Sequence, residues 1–486
     1  MTRAHILHRR SRSFSRRILL RLGLLGVVCL LASSCGLIGQ MPTRPPTRTT
    51  TPVPTTTARP PTTTTPPPTT AAPTTPPITT TTAPPVTGTG TLRPVDGGPA
   101  FYSRFTGALP TSPTFFPIAL WQESVVDDTG WPVDKAAGIN TYLEPTANTD
   151  IPRITANGMY AITSFAGANT PTAGYFTTDE ADMWAGPGSS PWTGNYPGQG
   201  DICRPANSQC GYTVMSAARS KVPAGRMVVS NYGKGVAYWE TNTQAAQFVN
   251  NYQDVVSTDI YWFTDPNVCN QYEGGNLING GASAVPAAQC RLATNYGKVV
   301  QRVRSLVTPA ASKPVWAFIE LGHPFTESYA PTITAPQIKA AVWSSLINGA
   351  RGIEYFNHNF GGNCQTQHII RDCGAPLRSA VTAINQQVSR LAPVLNAPFV
   401  DGLVSHSAGI DLSAKSYQGS LYVMSGSAQA GAVRASITVG CNVSSATVVD
   451  ENRTIPIKNG TFSDDFADGN AVHIYKIDGA GSCLPS

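Results

Sequence analysis

Between Phe14 and Phe101 the chain contains no aromatic residue, and that gap decides which part of it can fold. Inside the gap, residues 41–90 carry 22 Thr and 15 Pro, with no acid and no Gly before Gly88. A segment with so little to bury cannot offset the entropy lost on ordering, and its composition favours extended polyproline II geometry. Residues 35–93 are therefore expected to form a disordered Thr/Pro-rich stalk, of which residues 41–90 would reach roughly 150 Å at about 3.1 Å per residue. Every Trp and Tyr, and every Phe but Phe14, lies at Phe101 or beyond. Residues 94–486 then suffice for one barrel-sized domain and a small companion.

The formal charge of +6 is unevenly placed. Residues 1–93 hold 11 Arg and no acid, which leaves 23 basic against 28 acidic residues beyond them, a net of −5. A nucleic-acid partner is not implied. Seven arginines lie in the first 21 residues, followed by the apolar run Leu22 to Ala32. That run has the length of a signal-peptide core and is too short to span a bilayer. Leu31-Ala-Ser-Ser-Cys35-Gly36 resembles a bacterial lipobox, which implies a signal peptide over 1–34 and diacylation of Cys35. Two acyl chains make a stable anchor. The expected location is the outer face of the plasma membrane, extending into the cell wall, or secretion where Cys35 carries no lipid.

Beyond Cys29 and Cys35 the cysteines number eight, an even set in an exported chain: Cys203, Cys210, Cys269, Cys290, Cys364, Cys373, Cys441 and Cys483. Four disulfides in sequential pairing are the simplest of the 105 connectivities. None of the pairs has CxxC spacing and no histidine cluster accompanies them, so neither a metal site nor thiol catalysis is expected.

From residue 114 short apolar runs alternate with helical or loop segments. The runs are Phe115–Trp121, Thr141–Leu143, Tyr160–Phe165, Gly174–Thr177, Met227–Asn231, Asp259–Thr264, Val315–Glu320 and Gly352–Phe356. Segments 242–256, 292–307 and 335–349 carry apolar residues at helical spacing. Eight candidate strands of this kind predict an α/β fold, a (β/α)8 TIM barrel over 94–398. A doubly wound sheet is disfavoured because no Gly-x-Gly-x-x-Gly follows the first strand. Residues 399–486, with short alternating strands parted by Gly, Asn and Asp, predict a small β-sandwich-like domain.

Two acids fall at predicted strand ends, Glu180 in Tyr175-Phe-Thr-Thr-Asp-Glu180 and Glu320 in Trp316-Ala-Phe-Ile-Glu320. Two carboxyls across one opening, one protonated and one ionised, are what glycosidic cleavage requires. The chain here resembles the clan A retaining glycoside hydrolases, in the cellulase and family 42-type β-galactosidase branch. The resemblance rests on Phe115–Trp121, Tyr175–Glu180, Trp316–Glu320 and Gly349–His358 and covers residues 100–398. It implies Glu180 as acid/base and Glu320 as nucleophile, the former with the higher pKa because of its partner's charge. Asp179 stands where the clan usually has Asn, and Ala181 where some members have Pro. This departure supports a second reading, a catalytically silent carbohydrate-binding or structural wall protein.

Further substrate contacts are expected from Asp179, from Asn231 past the fifth strand, and from Tyr261, whose hydroxyl would approach Glu320. Trp121, Trp316 and Tyr355 are candidate sugar-stacking rings, each weighed against a core role. His323, His358 and His368 follow strands seven and eight; His358 is favoured as a hydrogen-bonding group, since the spacing is not that of a metal helix. No cofactor and no obligate protein partner are implied, and serine esterase chemistry lacks its Gly-x-Ser-x-Gly elbow.

Overall fold

The structure is a computed structural model describing residues 90–167, 169–192 and 209–484. The expected signal peptide, Cys35, the stalk as far as residue 89, and Cys203 lie outside the described residues.

Eight short strands build the larger domain: β1 (Ile118–Trp121), β2 (Thr141–Leu143), β3 (Tyr160–Ile162), β4 (Tyr175–Asp179), β5 (Val228–Tyr232), β6 (Val255–Thr258), β7 (Ala317–Glu320) and β8 (Ile353–Phe356). They run β3-β2-β1-β8-β7 in one sheet and β4-β5-β6 in the other, with every neighbouring pair parallel. Parallel bridges Ile162↔Gly174 and Val256↔Val315 join the two runs and close the cylinder. Alternation along the strands splits the core. Ala119, Trp121, Leu143, Ile162, Phe176, Val229, Val255, Trp316 and Phe318 pack together inside. Ile118, Leu120, Tyr142, Tyr232, Val256, Ile319, Ile353 and Tyr355 pack outward with the helices. Helices Asn242–Asn251, Thr294–Leu306, Ala335–Ile347 and Ala375–Arg390 form much of that outer layer. The link from β3 to β4 has no helix among its described residues.

The sixth strand is the main correction to the sequence reading. Asp259–Thr264 is not a strand; β6 is Val255–Thr258, whose residues pair with β5 from Val229↔Val255 onward. The helix expected over 242–256 stops at Asn251. Val255 and Val256 fit a helix period locally, but as β-branched residues they suit a strand, and pairing with β5 settles the matter.

The C-terminal domain has a seven-stranded sheet and a three-stranded sheet, Val404–His406, Val433–Val439 and Thr461–Phe466, enclosing a separate apolar core. The edge strand of the larger sheet is Thr91–Arg93, antiparallel to Phe399–Asp401, with Arg93 on Asp401 at 2.7 Å. These three residues, expected in the stalk, are thus part of the folded domain. Met424 and Ile474 reach from this domain into the barrel's outer core. Lys415, 2 % exposed, donates to the carbonyls of Leu395 (3.0 Å) and Ala397 (2.9 Å) at the junction.

Disulfides Cys269–Cys290, Cys364–Cys373 and Cys441–Cys483 follow the sequential pairing, and Cys210 is also disulfide-bonded. The first two stiffen the loops after β6 and β8.

A buried ion network ties the loop after β1 to the loop after β8. Arg371 contacts Glu123 at 2.9 Å and Asp134 at 2.6 Å, and both acids are fully buried. Asn357 donates to Glu123 (2.6 Å), His368 pairs with it (2.6 Å), and the Tyr142 hydroxyl donates to Asp134 (2.8 Å). Replacing Arg371 by Met would strand two buried carboxylates. Chemical denaturation should show R371M losing about 3–5 kcal/mol, the cost typical of breaking one side of a buried pair.

Candidate active site at the barrel mouth

The residues immediately after β1, β2 and β4 are Gln122, Glu144 and Glu180, and all three take left-handed backbone angles, φ 47°, 45° and 48°. For a residue with a Cβ each such angle costs on the order of 1–3 kcal/mol, and strain of this kind concentrates at functional sites. The turn at Glu180 opens the short helix Ala181–Trp184 and leaves the residue half-buried at the mouth. The loop after β5 lies against it. A Cβ on Gly233 would sit 2.9 Å from Glu180 Oε1 and 2.3 Å from Met183 Sδ, so a side chain there would displace both groups. Asp182 fixes that loop by accepting N–H bonds from Gly233 (3.1 Å) and Val236 (2.7 Å).

Around Glu180 the carboxyls are dense. Asp179 accepts from Asn231 Nδ2 at 2.8 Å, and Asn231 Oδ1 accepts from Ser257 at 2.8 Å. Asp259, the first residue past β6, receives the Tyr261 hydroxyl on Oδ2 at 3.4 Å. Burial pushes Glu180 up to about 8, with the charges of Asp179 and Asp182 acting in the same direction. Burial likewise pushes Asp179 and Asp182 up to about 6 and Asp259 well above the carboxylate range, Asp259 aided by the charge of Glu180. Lys234 is the nearby cation, but its ammonium is engaged by Asp265 (2.7 Å) and Glu273 (2.8 Å). Glu144, bonded to the backbone N–H of Ser164 at 2.7 Å and to its hydroxyl, is pushed up by burial to about 7.

Glu320 ends β7 at the same rim but is fully buried. Its two oxygens lie 2.7 and 2.8 Å from the Tyr296 hydroxyl, and Thr264 donates to Oε1 at 3.0 Å. Burial raises its pKa to about 7, and the hydroxyl donors work against the rise by favouring the anion. Glu180 is thus the more strongly protonated of the two. The charges that raise it come foremost from Asp179 and Asp182, on its own strand end and helix, where the sequence reading had named Glu320.

Several expected contacts take other roles. Trp316 sits inside the barrel 3.3 Å from the Tyr102 hydroxyl, and Tyr355 faces the outer helices with its hydroxyl on Asn385 at 2.8 Å. Both are core rings, since neither is more than 1 % exposed. Trp121, wedged edge-on between Phe176 and Phe318, forms packing beneath the mouth and not a free stacking face. Tyr261 faces inward among Phe318, Phe325 and Phe356, but its hydroxyl bonds Asp259 in place of Glu320. His358 is buried beside Phe356 and Phe360, with Nε2 lacking a partner and its pKa lowered by burial, so it is neutral. His323 and His368 are held by internal bonds. Among the described residues no group of His, Cys, Asp and Glu is arranged to hold a metal.

The acids that sequence reasoning passed over are Glu144, Asp182, Asp259 and Glu354. Glu144 carried the signal used for Glu180, an acid directly after a strand. Asp259 was hidden by the misplaced sixth strand. Glu354, in β8, is fully buried, and both of its carboxyl oxygens lack a partner.

The sequence matches no protein-family model and no curated protein sequence. Solved structures to which the chain is similar are glycoside hydrolases. A family 30 endoxylanase from Clostridium papyrosolvens aligns at 9 % identity and TM-score 0.39 over 75 % of this chain and 96 % of its own. A family 5 glycoside hydrolase from Bacteroides vulgatus aligns at 11 % and 0.45 over 76 % and 91 %. An α-amylase from Geobacillus thermoleovorans, complexed with acarbose, aligns at 10 % and 0.43 over 74 % and 98 %. Likeness at this level assigns no residue a role, and the barrel is read from its own strand order.

Burial pushes Glu354 up to about 8, so the folded chain binds its proton more tightly than the unfolded chain does. The sign follows from linkage: stability is highest near the ordinary glutamate range and falls as pH climbs through about 8. Glu354→Gln mimics the protonated acid. Its melting temperature should exceed that of the wild type at pH 8.5 and converge with it at pH 4.5, as measured by differential scanning calorimetry.

Proposed function

We propose that the protein is a retaining glycoside hydrolase in which Glu180 is the general acid/base and Glu320 the nucleophile. The observation that carries the proposal is the place of Glu180: a half-buried residue set by a left-handed turn at the mouth of a closed barrel, its carboxyl pushed up by burial and by adjacent acids. A proton held at neutral pH is what a leaving glycosidic oxygen needs. Glu320 supplies the second carboxyl at the rim, and the hydroxyls of Tyr296 and Thr264 favour its anionic form. The substrate class proposed is cell-wall or extracellular polysaccharide. Support comes from the exported, stalked composition of residues 1–89 and from disulfides suited to an oxidising compartment. The same composition supports a lipid anchor at Cys35.

A second reading is favoured by one observation: Glu320 has no exposed surface and its oxygens are occupied by Tyr296 and Thr264. On that reading the barrel binds glycan without cleaving it. Activated fluorosugars decide between them, because a turning-over enzyme accumulates a glycosyl adduct on Glu320 and a binding protein does not.

Screening aryl glycosides and wall polysaccharides should find a hydrolysed substrate, with E180Q and E320Q each lowering kcat by about 10²–10⁴-fold. Full turnover in either variant removes that residue from the mechanism. In the wild type, kcat/KM should rise with pH as Glu320 ionises through about 7 and fall as Glu180 loses its proton through about 8.

A further inference from the structure

Among the described residues four large aromatic side chains are exposed: Phe165 at 38 %, Trp239 at 49 %, Tyr272 at 70 % and Tyr329 at 74 %. One exposed ring needs no explanation, but these four share a place. Phe165 follows β3, Trp239 follows β5, Tyr272 follows β6 and Tyr329 follows β7. The loops after the strands of a parallel barrel all emerge at its mouth. Every exposed large ring therefore stands on that one face, and none stands on the opposite end of the barrel or on the C-terminal domain. Glu180 follows β4, between the loop that carries Phe165 and the loop that carries Trp239.

The backbone under each ring is held. Trp239 ends the π-helix Gly235–Trp239, a local geometry that recurs at functional sites, with the Glu240 N–H on the Gly235 carbonyl at 2.9 Å. Tyr272 lies in the loop closed by Cys269–Cys290. Asn276 Nδ2 donates to the carbonyls of Tyr238 (2.9 Å) and Tyr272 (3.3 Å), which sets the backbones bearing Trp239 and Tyr272 side by side. Lys234 ties the same two loops through Asp265 and Glu273, and its neighbour Gly233 lies against Glu180. Tyr329 sits in a turn closed by the Ala330 N–H on the Glu327 carbonyl at 2.9 Å. His323 braces that turn, with Nε2 3.2 Å from the Glu327 carbonyl and Nδ1 2.9 Å from the Thr332 hydroxyl. Phe165 follows Ser164, whose N–H donates to Glu144 at 2.7 Å. Rings fixed in this way lose little freedom when something stacks on them.

We propose that Phe165, Trp239, Tyr272 and Tyr329 form a platform on which a polysaccharide chain lies across the mouth, with Phe165 to one side of Glu180 and the other three rings to the other. The inference rests on the carbohydrate-directed reading of the barrel for its ligand and on the placement of the rings for its geometry. An aromatic plane covers the C–H face of a pyranose. Rings spread over four loops offer that surface to several successive sugars, whereas a site for one chain end would gather them in a single pocket. A protein partner would call for a contiguous apolar patch. Here the residues beside the rings are polar, among them Ser164, Gln271, Glu273 and Ser328. Trp121, Trp316 and Tyr355 are packed into the core, and these four supply the free faces that they do not.

Affinity electrophoresis of the full-length protein in gels carrying xylan, β-glucan, amylose or arabinogalactan tests the platform. At least one polymer should retard the wild type. W239A and Y272A should each weaken that binding about two- to tenfold, the worth of one stacked ring, and the double variant by about the product. W239F and Y272F keep a ring and should bind nearly as the wild type does, which excludes a role carried by the indole N–H or the phenolic hydroxyl. Oligosaccharides of the retarding polymer should bind more tightly with each added sugar until the rings are covered. Retardation by none of the four polymers, or retardation unchanged in the folded double variant, overturns the proposal. If sedimentation shows the wild type self-associating and the double variant monomeric, the face joins copies of this chain and the platform falls. Binding that depends on the rings in a protein that hydrolyses no glycoside leaves the platform standing and removes the hydrolase reading. Aryl-glycoside hydrolysis with polymer binding indifferent to the rings does the reverse. Should W239A fail to fold, Y272A and Y329A carry the same test with the same two outcomes.

Discussion

Closure of eight parallel strands into one cylinder is the constraint on which the rest of this molecule depends. Each strand is three to five residues long, so the residue just past it has no choice but to stand at the common rim. That is how Glu144, Glu180, Asp259 and Glu320, separated by up to 176 positions in the chain, come to stand at one rim. The barrel interior below them is filled by aromatic and branched side chains, which leaves little dielectric screening under the acids. Their protons are retained as a result, and burial is the leading cause of every upward shift at the mouth.

Such a concentration of acid is expensive to hold together. The chain keeps it by leaving much of it neutral at mid-range pH and by supplying donors where an anion is to form, as Tyr296 and Thr264 do for Glu320. Elsewhere in the barrel the opposite solution is used. Glu123 and Asp134 are buried against a cation, Arg371, which is bound to both. The contrast separates two kinds of buried carboxyl: those set against a cation, which fix loops, and those at the mouth, whose affinity for a proton burial raises.

The second domain is bound to the first by more than the chain connection. Met424 and Ile474 enter the barrel's outer core, and Thr91–Arg93 crosses from the front of the chain to complete the edge of the C-terminal sheet. Whatever precedes Gly90 therefore departs from that sheet edge, not from the barrel.

Much of this was legible without coordinates. Seven of the eight barrel strands, the β-rich tail and the three described disulfides follow from apolar runs, turn residues and cysteine order, because each is a local or short-range signal. The strand-end positions of Glu180 and Glu320 were legible for the same reason, since both acids end apolar runs. What only the tertiary structure decided is which groups meet. Val255 and Val256 are equally at home in a helix or a strand until β5 offers them hydrogen bonds, and that pairing is what brings Asp259 to the barrel rim. Trp316 and Tyr355 look like sugar-stacking rings in one dimension and prove to be core in three, since strand alternation and depth, neither visible in the run itself, set the face on which a ring lies.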